Sequence, residues 1–153
     1  EDADLLQLMT YDQHGPWSEP GPVSGADWVE DCGAYATSIV EPAKLLIGLP
    51  AYGYDWDLTA SRPSRGEYSA EAFSWSEISE LLSKRGVVEH WAAASQSPYV
   101  TYTERGHRHE AWFENAASLR DKTALIAKYG LAGLSMWSLG QEDKAFWEAL
   151  STP

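Results

Sequence analysis

The chain has one cysteine, eleven basic residues against 23 acidic ones, and no long uninterrupted apolar run. Cys32 is alone, so an internal disulfide and a cysteine-type metal cluster are both excluded, and the redox compartment is left open. The formal charge of -12 argues against DNA and RNA, whose phosphates reward clustered Lys and Arg. It argues equally against an anionic membrane surface. No stretch approaches the roughly 18 apolar residues of a membrane span. Internal repeats and low-complexity tracts are absent too. The opening Glu1-Asp2-Ala3-Asp4 has no initiator Met and none of the character of a signal peptide, so we expect a chain that starts inside something larger.

What is abundant is aromatic surface: eight Trp, eight Tyr and three Phe in 153 residues, with 44% apolar residues overall. That is too much burial-seeking surface for a disordered chain. The length suits one domain with a real core. Neutral or cationic partners fit the charge balance, uncharged sugars among them.

Hydrophobic patterning gives a strand–helix alternation. Residues 5–9 read as a short strand buried on both faces, ending in Thr10-Tyr11-Asp12. Residues 13–25, rich in Gly and Pro, read as a loop. Ser24 with Asp27 resembles a capping box for a helix whose apolar stripe is Trp28, Cys32, Tyr35 and Ile39. Residues 45–51 form a second buried strand, in which Gly48 and Pro50 suit the end of a ladder near a ligand better than its interior. Residues 52–72 read as a long irregular segment, of the kind that is usually functional. Ser74 and Glu77 box the start of a helix that Gly86 stops. Three β-like pieces follow (87–93, 99–104, 107–114), the last two joined at Arg105-Gly106. Asn115 caps a helix that Gly130 ends; 131–137 is a third buried strand and 144–150 a final helix.

Alternating strands and helices imply a parallel sheet, and parallel sheets carry their sites at the carboxyl ends of strands. These ends hold Tyr11-Asp12, Tyr52-Gly53-Tyr54-Asp55-Trp56 and Met136-Trp137. Indoles stack on the apolar faces of sugar rings, while phenols and carboxylates bind hydroxyls and amides.

These same residues carry a family resemblance. Leu8-Met9-Thr10-Tyr11-Asp12 resembles the sixth-strand motif of glycoside hydrolase family 18, the chitinase family. Gly48-Leu49-Pro50-Ala51-Tyr52-Gly53 resembles its seventh strand, and Gly130 to Leu139 its eighth. Trp112 to Leu119 with Lys122 resembles the end of the family's insertion and the helix after it. The stretch from Asp12 to Val23 resembles the bacterial spore-cortex and cell-wall branch more than the insect or plant chitinases.

The resemblance implies an α/β fold: part of a TIM (β/α)8 barrel, strands six to eight with their helices in 1–55 and 115–153, plus an α+β insertion subdomain in 56–114. It implies a retaining, substrate-assisted hydrolase of β-1,4-linked N-acetylglucosamine polymers, peptidoglycan or chitin, in which the substrate's acetamide is the nucleophile. Tyr11 and Asp12 would be catalytic, the phenol holding the acetamide oxygen and the carboxylate binding sugar hydroxyls. Met9, Tyr52 and Trp137 would line the sugar, with Trp56 and Trp112 as further platforms. Tyr54 stands where relatives often carry a basic residue and receives no role. Neither a cofactor nor a metal is implied. His107 and His109 could share a strand face, but nothing beside them completes a metal site, so they read as surface or subsite-rim residues. His14 reads as an exposed loop residue, and Trp17, Trp28, Trp75, Trp91 and Trp147 as core.

The family's general acid closes an Asp-x-x-Asp-x-Asp-x-Glu motif that this sequence does not contain. We therefore expect the chain alone to be inactive. Three barrel strands would leave two open edges, so we expect pairing with the amino-terminal half of the barrel or self-association. The alternatives are a non-catalytic, lectin-like sugar binder on the same scaffold and a purely structural half-barrel. The location implied by the family's substrates is extracellular, in the cell wall or spore envelope.

Overall fold

The computed structural model describes residues 3–151. Glu1 and Asp2 of the acidic opening lie outside the described residues.

Three parallel strands, β1 (Leu6–Leu8), β2 (Leu45–Pro50) and β8 (Gly133–Trp137), form an open sheet in the order β1-β2-β8. Helix α1 (Ala26–Thr37) follows β1, and α3 (Ala116–Tyr129) and α4 (Lys144–Ser151) flank β8. Between β2 and α3 lies a five-stranded antiparallel sheet in the order β4-β3-β7-β6-β5. Its strands are β3 (Tyr52–Asp57), β4 (Ala70–Ser74), β5 (Val88–Ala92), β6 (Ser97–Glu104) and β7 (His107–Trp112). The short helix α2 (Ile78–Ser83) packs on it. Ala51 stitches the sheets together: its N–H donates to the Trp137 carbonyl and its carbonyl accepts from Trp75. One buried cluster runs through both, from Leu45, Ile47 and Leu49 to Val100, Ala111 and Phe113.

Local signals act as read in several places. Asn115 accepts from the N–H groups of Ala117 and Ser118, and Gly130 closes α3 in the left-handed region. Ser74 and Glu77 form their capping box. Arg105 and Gly106 both have positive φ, as a tight two-residue hairpin requires.

Elsewhere tertiary contacts override the local reading. Ser24 does not cap α1: its hydroxyl donates to the Thr10 carbonyl, and Gly25 stands at the cap position. Residues 52–57 are a strand, because Tyr52, Tyr54 and Trp56 point to one buried face. The strand β1 is not buried on both faces; as the sheet edge it leaves Leu6 exposed. The face of α1 that packs is Val29, Gly33 and Ala36, whereas Tyr35 and Ile39 are exposed. They join Leu6, Leu8, Met9 and Cys32 around an open apolar groove of about 390 Å³.

Pro50 ends the ladder opposite Trp137, as expected, whereas Gly48 lies inside it opposite Ser135. The glycine answers a close approach: a Cβ there would stand 2.4 Å from the Leu8 carbonyl oxygen and 3.1 Å from the Tyr11 ring.

Candidate active site

The carboxyl ends of β1, β2 and β8 bring Tyr11, Asp12, Tyr52 and Trp137 together. Thr10 fixes the first of these ends. Its hydroxyl donates to the Gly48 carbonyl at 2.7 Å, and its own carbonyl takes the Ser24 hydroxyl at 2.6 Å. Asp12 follows with φ of 61°, in the left-handed region that Asp enters at less cost than most residues. The Tyr52 hydroxyl donates to Asp12 Oδ1 at 2.5 Å and the Tyr54 hydroxyl donates to the same oxygen at 3.1 Å. Asp12 is thus held from a different sheet than the one it ends.

Tyr11 stacks on Trp137 with ring centres 6.2 Å apart and planes 21° apart, and meets Tyr52 edge-on at 6.5 Å. Its hydroxyl has no hydrogen-bond partner among the described residues, so it is open to a ligand. Trp137 is 55% exposed and Met9 73% exposed. The peptide bond after Trp137 is cis.

The phenols are held in the protonated form. Burial, then the Asp12 charge, raises Tyr11. Burial, followed by the bond to Asp12, raises Tyr52 well above the ordinary phenol range. Tyr54 is pushed up to about 12 by burial and by the Asp12 charge. Three neutral O–H donors around one carboxylate make a surface suited to hydroxyl and amide groups.

Two expected platforms are not platforms. Trp56 is 0% exposed and its indole N–H donates to the Ser18 carbonyl at 3.0 Å. Trp112 is 8% exposed, sandwiched on Tyr99 with ring centres 4.4 Å apart. Strand alternation turns both toward the packed side of their sheet, where they carry core area. Three tryptophans expected in the core are instead exposed: Trp17, Trp91 and Trp147. Trp17 is the site residue that sequence reasoning missed. It is 58% exposed, sits edge-on against Tyr54 at 6.2 Å, and rides on the loop that Trp56 anchors. The signal available was its place on the Gly/Pro-rich loop directly after Tyr11-Asp12.

His14 is half-buried, its Nδ1–H donating to the Pro22 carbonyl at 2.9 Å. His107 and His109 face away from the Tyr54 side of their sheet and pair with Asp57 at 2.5 Å and Asp55 at 3.2 Å. Among the described residues no group of three or more His, Cys, Asp or Glu is placed to hold a metal ion.

The model of the glycosyl hydrolases family 18 matches residues 1–142. The chain belongs to that family. An uncharacterized glycosylase of Bacillus subtilis, YvbX, is 34% identical over 149 residues, covering 97% of this chain and 42% of the relative. A cortical fragment-lytic enzyme of Bacillus anthracis is 31% identical over 97% of this chain and 34% of its own. Among solved structures, a chitinase from Chromobacterium violaceum is 41% identical with a TM-score of 0.88, over 97% of this chain and 44% of that one. The chain therefore spans less than half the length of these family 18 relatives.

Proposed function

We propose that this family 18 chain supplies the sugar-holding part of a retaining, substrate-assisted glycoside hydrolase acting on β-1,4-linked N-acetylglucosamine polymers. Peptidoglycan is the first choice and chitin the second. The observation that carries the reading is the Tyr11–Trp137 stack beside Asp12, at the converging ends of parallel strands. Trp137 is the floor under a sugar ring and Met9 flanks it. The free Tyr11 hydroxyl holds the acetamide oxygen for attack on the anomeric carbon, which is catalysis by positioning. Asp12 takes sugar hydroxyls, and Tyr52 keeps it in place.

The leaving oxygen needs an acid, and this sequence has no Asp-x-x-Asp-x-Asp-x-Glu run. General acid catalysis contributes about 10²–10⁴-fold. The chain alone is accordingly a binder, and hydrolysis belongs to an assembly that adds the acid. The open edge at β1 and the apolar groove beside it take up the amino-terminal part of a family 18 barrel, or a second copy. The workplace is the cell wall or spore envelope.

The test is twofold. An N-acetylglucosamine oligomer should change tryptophan fluorescence of the purified chain, while a homogeneous preparation releases no reducing ends. Adding a separately produced amino-terminal half of a family 18 relative should restore hydrolysis. Turnover by the chain alone would overturn the division of labour; unchanged fluorescence would overturn sugar binding and favour a purely structural role.

A further inference from the structure

Asp12 is an anion whose partners are all neutral. Both of its protein hydrogen bonds, from Tyr52 and Tyr54, end on Oδ1. Oδ2 takes none from any described residue. No Lys, Arg or His among the described residues forms an ion pair with it. Asp12 is exposed; its sequence neighbour Tyr11 stacks on Trp137, and Trp17 lies edge-on against its partner Tyr54. The negative charge is therefore oriented by its neighbours but not neutralised by them, and one of its two oxygens is left for whatever enters.

A phenol and a cation in the place of Tyr54 would have different consequences. Either can orient the carboxylate by a hydrogen bond. Only the cation would cancel its charge. With a phenol there, the electrostatic demand passes to solvent and to the ligand. A hydroxyl group meets that demand in part. A protonated amine meets it fully, by a charge-assisted hydrogen bond of roughly twice the strength of a neutral one.

We infer that Tyr54 is a positioning residue that sets ligand selectivity: by orienting Asp12 with a neutral hydroxyl it makes the site prefer glycan stretches that carry free amines, de-N-acetylated glucosamine units, over fully N-acetylated ones. The inference rests on the sugar-binding reading above and adds the substrate class to it. The preferred glycan is one partly stripped of acetyl groups, with an ammonium facing Asp12 Oδ2 and an acetylated unit still available to Tyr11.

The experiment compares two probes, a glucosamine oligomer and the N-acetylglucosamine oligomer of equal length. Affinities are read from tryptophan fluorescence at mildly acidic pH, where amines are protonated. The intact chain should bind the amine-bearing oligomer about threefold more tightly or better, as a charge pair at an exposed carboxylate allows. The gap should shrink with added salt. Because the whole chain carries -12, non-specific attraction must be separated, and Asp12→Asn does so by removing one charge of the total. The preference should vanish in Asp12→Asn. It should also vanish in Tyr54→Arg, which supplies the missing cation. Tyr54→Phe keeps the ring and removes the hydroxyl; it should weaken both probes and keep their order, and it covers the case in which the arginine disturbs folding. Circular dichroism checks that each variant is folded. Equal affinity, or preference for the acetylated probe, in the intact chain would overturn the inference alone. Persistence of the preference in Asp12→Asn would reduce it to bulk charge and overturn it too. No response to either probe would overturn the sugar-binding reading itself, and the inference with it.

Discussion

The Tyr52 hydroxyl lies 2.5 Å from Asp12 Oδ1, although 40 residues of sequence separate them. Tyr52 begins the antiparallel sheet, whereas Asp12 follows the edge strand of the parallel one. The bond makes the orientation of the carboxylate a property of how two sheets meet, rather than of the loop on which Asp12 sits.

The phenols around that carboxylate give a pH prediction with a definite sign. Tyr54 releases its proton at about 12 in the folded chain, against 10.0 for an ordinary phenol. The unfolded chain loses this proton first, so it holds fewer protons than the folded chain in that window. Stability linked to Tyr54 is full below about 10 and is lost as pH rises toward about 12. Denaturation midpoints measured across this range should fall for the intact chain and fall less for Tyr54→Phe.

Two tryptophan truncations should separate platform from core. Trp56→Ala removes a fully buried indole and its hydrogen bond to Ser18, and should cost about 3–5 kcal/mol of stability. Trp137→Ala removes a half-exposed ring at a sheet end. It should cost much less in urea unfolding, and it should abolish the fluorescence response to sugar. A stable Trp56→Ala chain with lost binding would reverse the two assignments.

Glu114 and Lys122 form a fully buried ion pair beside the start of α3. Burial drives the Glu114 carboxyl upward against the opposing pull of Lys122, and Glu114 Oε1 has no hydrogen-bond partner among the described residues. Lys122→Met would leave the carboxylate buried without its cation, at a cost of about 3–5 kcal/mol. The double variant Glu114→Leu/Lys122→Met should recover most of that loss. Urea midpoints of the two chains check this.

Gly48→Ala tests the close approach of β1 to β2. The added methyl would sit 2.4 Å from a backbone oxygen that cannot swing away. Overpacking of this kind costs about 1–3 kcal/mol. The Tyr11 ring lies 3.1 Å from the same methyl, so sugar affinity should fall along with stability. Binding that stays intact in a destabilised chain would show that Tyr11 is placed independently of this contact.

Much of this architecture is legible in the sequence. Caps such as Asn115 and Gly130 are local devices, satisfied within four residues, so local sequence reveals them. The strand ends bearing Tyr11, Asp12, Tyr52 and Trp137 were legible because buried parallel strands read as apolar runs with polar ends. The roles of individual tryptophans were not. An indole announces how much area it can bury, and says nothing about which side of a sheet it takes or whether a loop covers it. Trp56 and Trp17 traded places for that reason. Ser24 likewise carries a capping signature, but a carbonyl 14 residues earlier offers its hydroxyl a better partner. The tie between Asp12 and Tyr54 was invisible because it needs the register of two sheets at once.

That register also lines up Tyr54, Trp112, Tyr99 and His90 as direct neighbours on β3, β7, β6 and β5. Tyr99 lies flat against both Trp112 and His90. An edge strand ordinarily frays on its own, with amides that exchange early. Here β5 cannot lift away without unstacking His90, which opens the neighbour of the ring beneath it. The outer hairpin and the carboxylate at the other end of the row accordingly belong to one cooperative unit of opening.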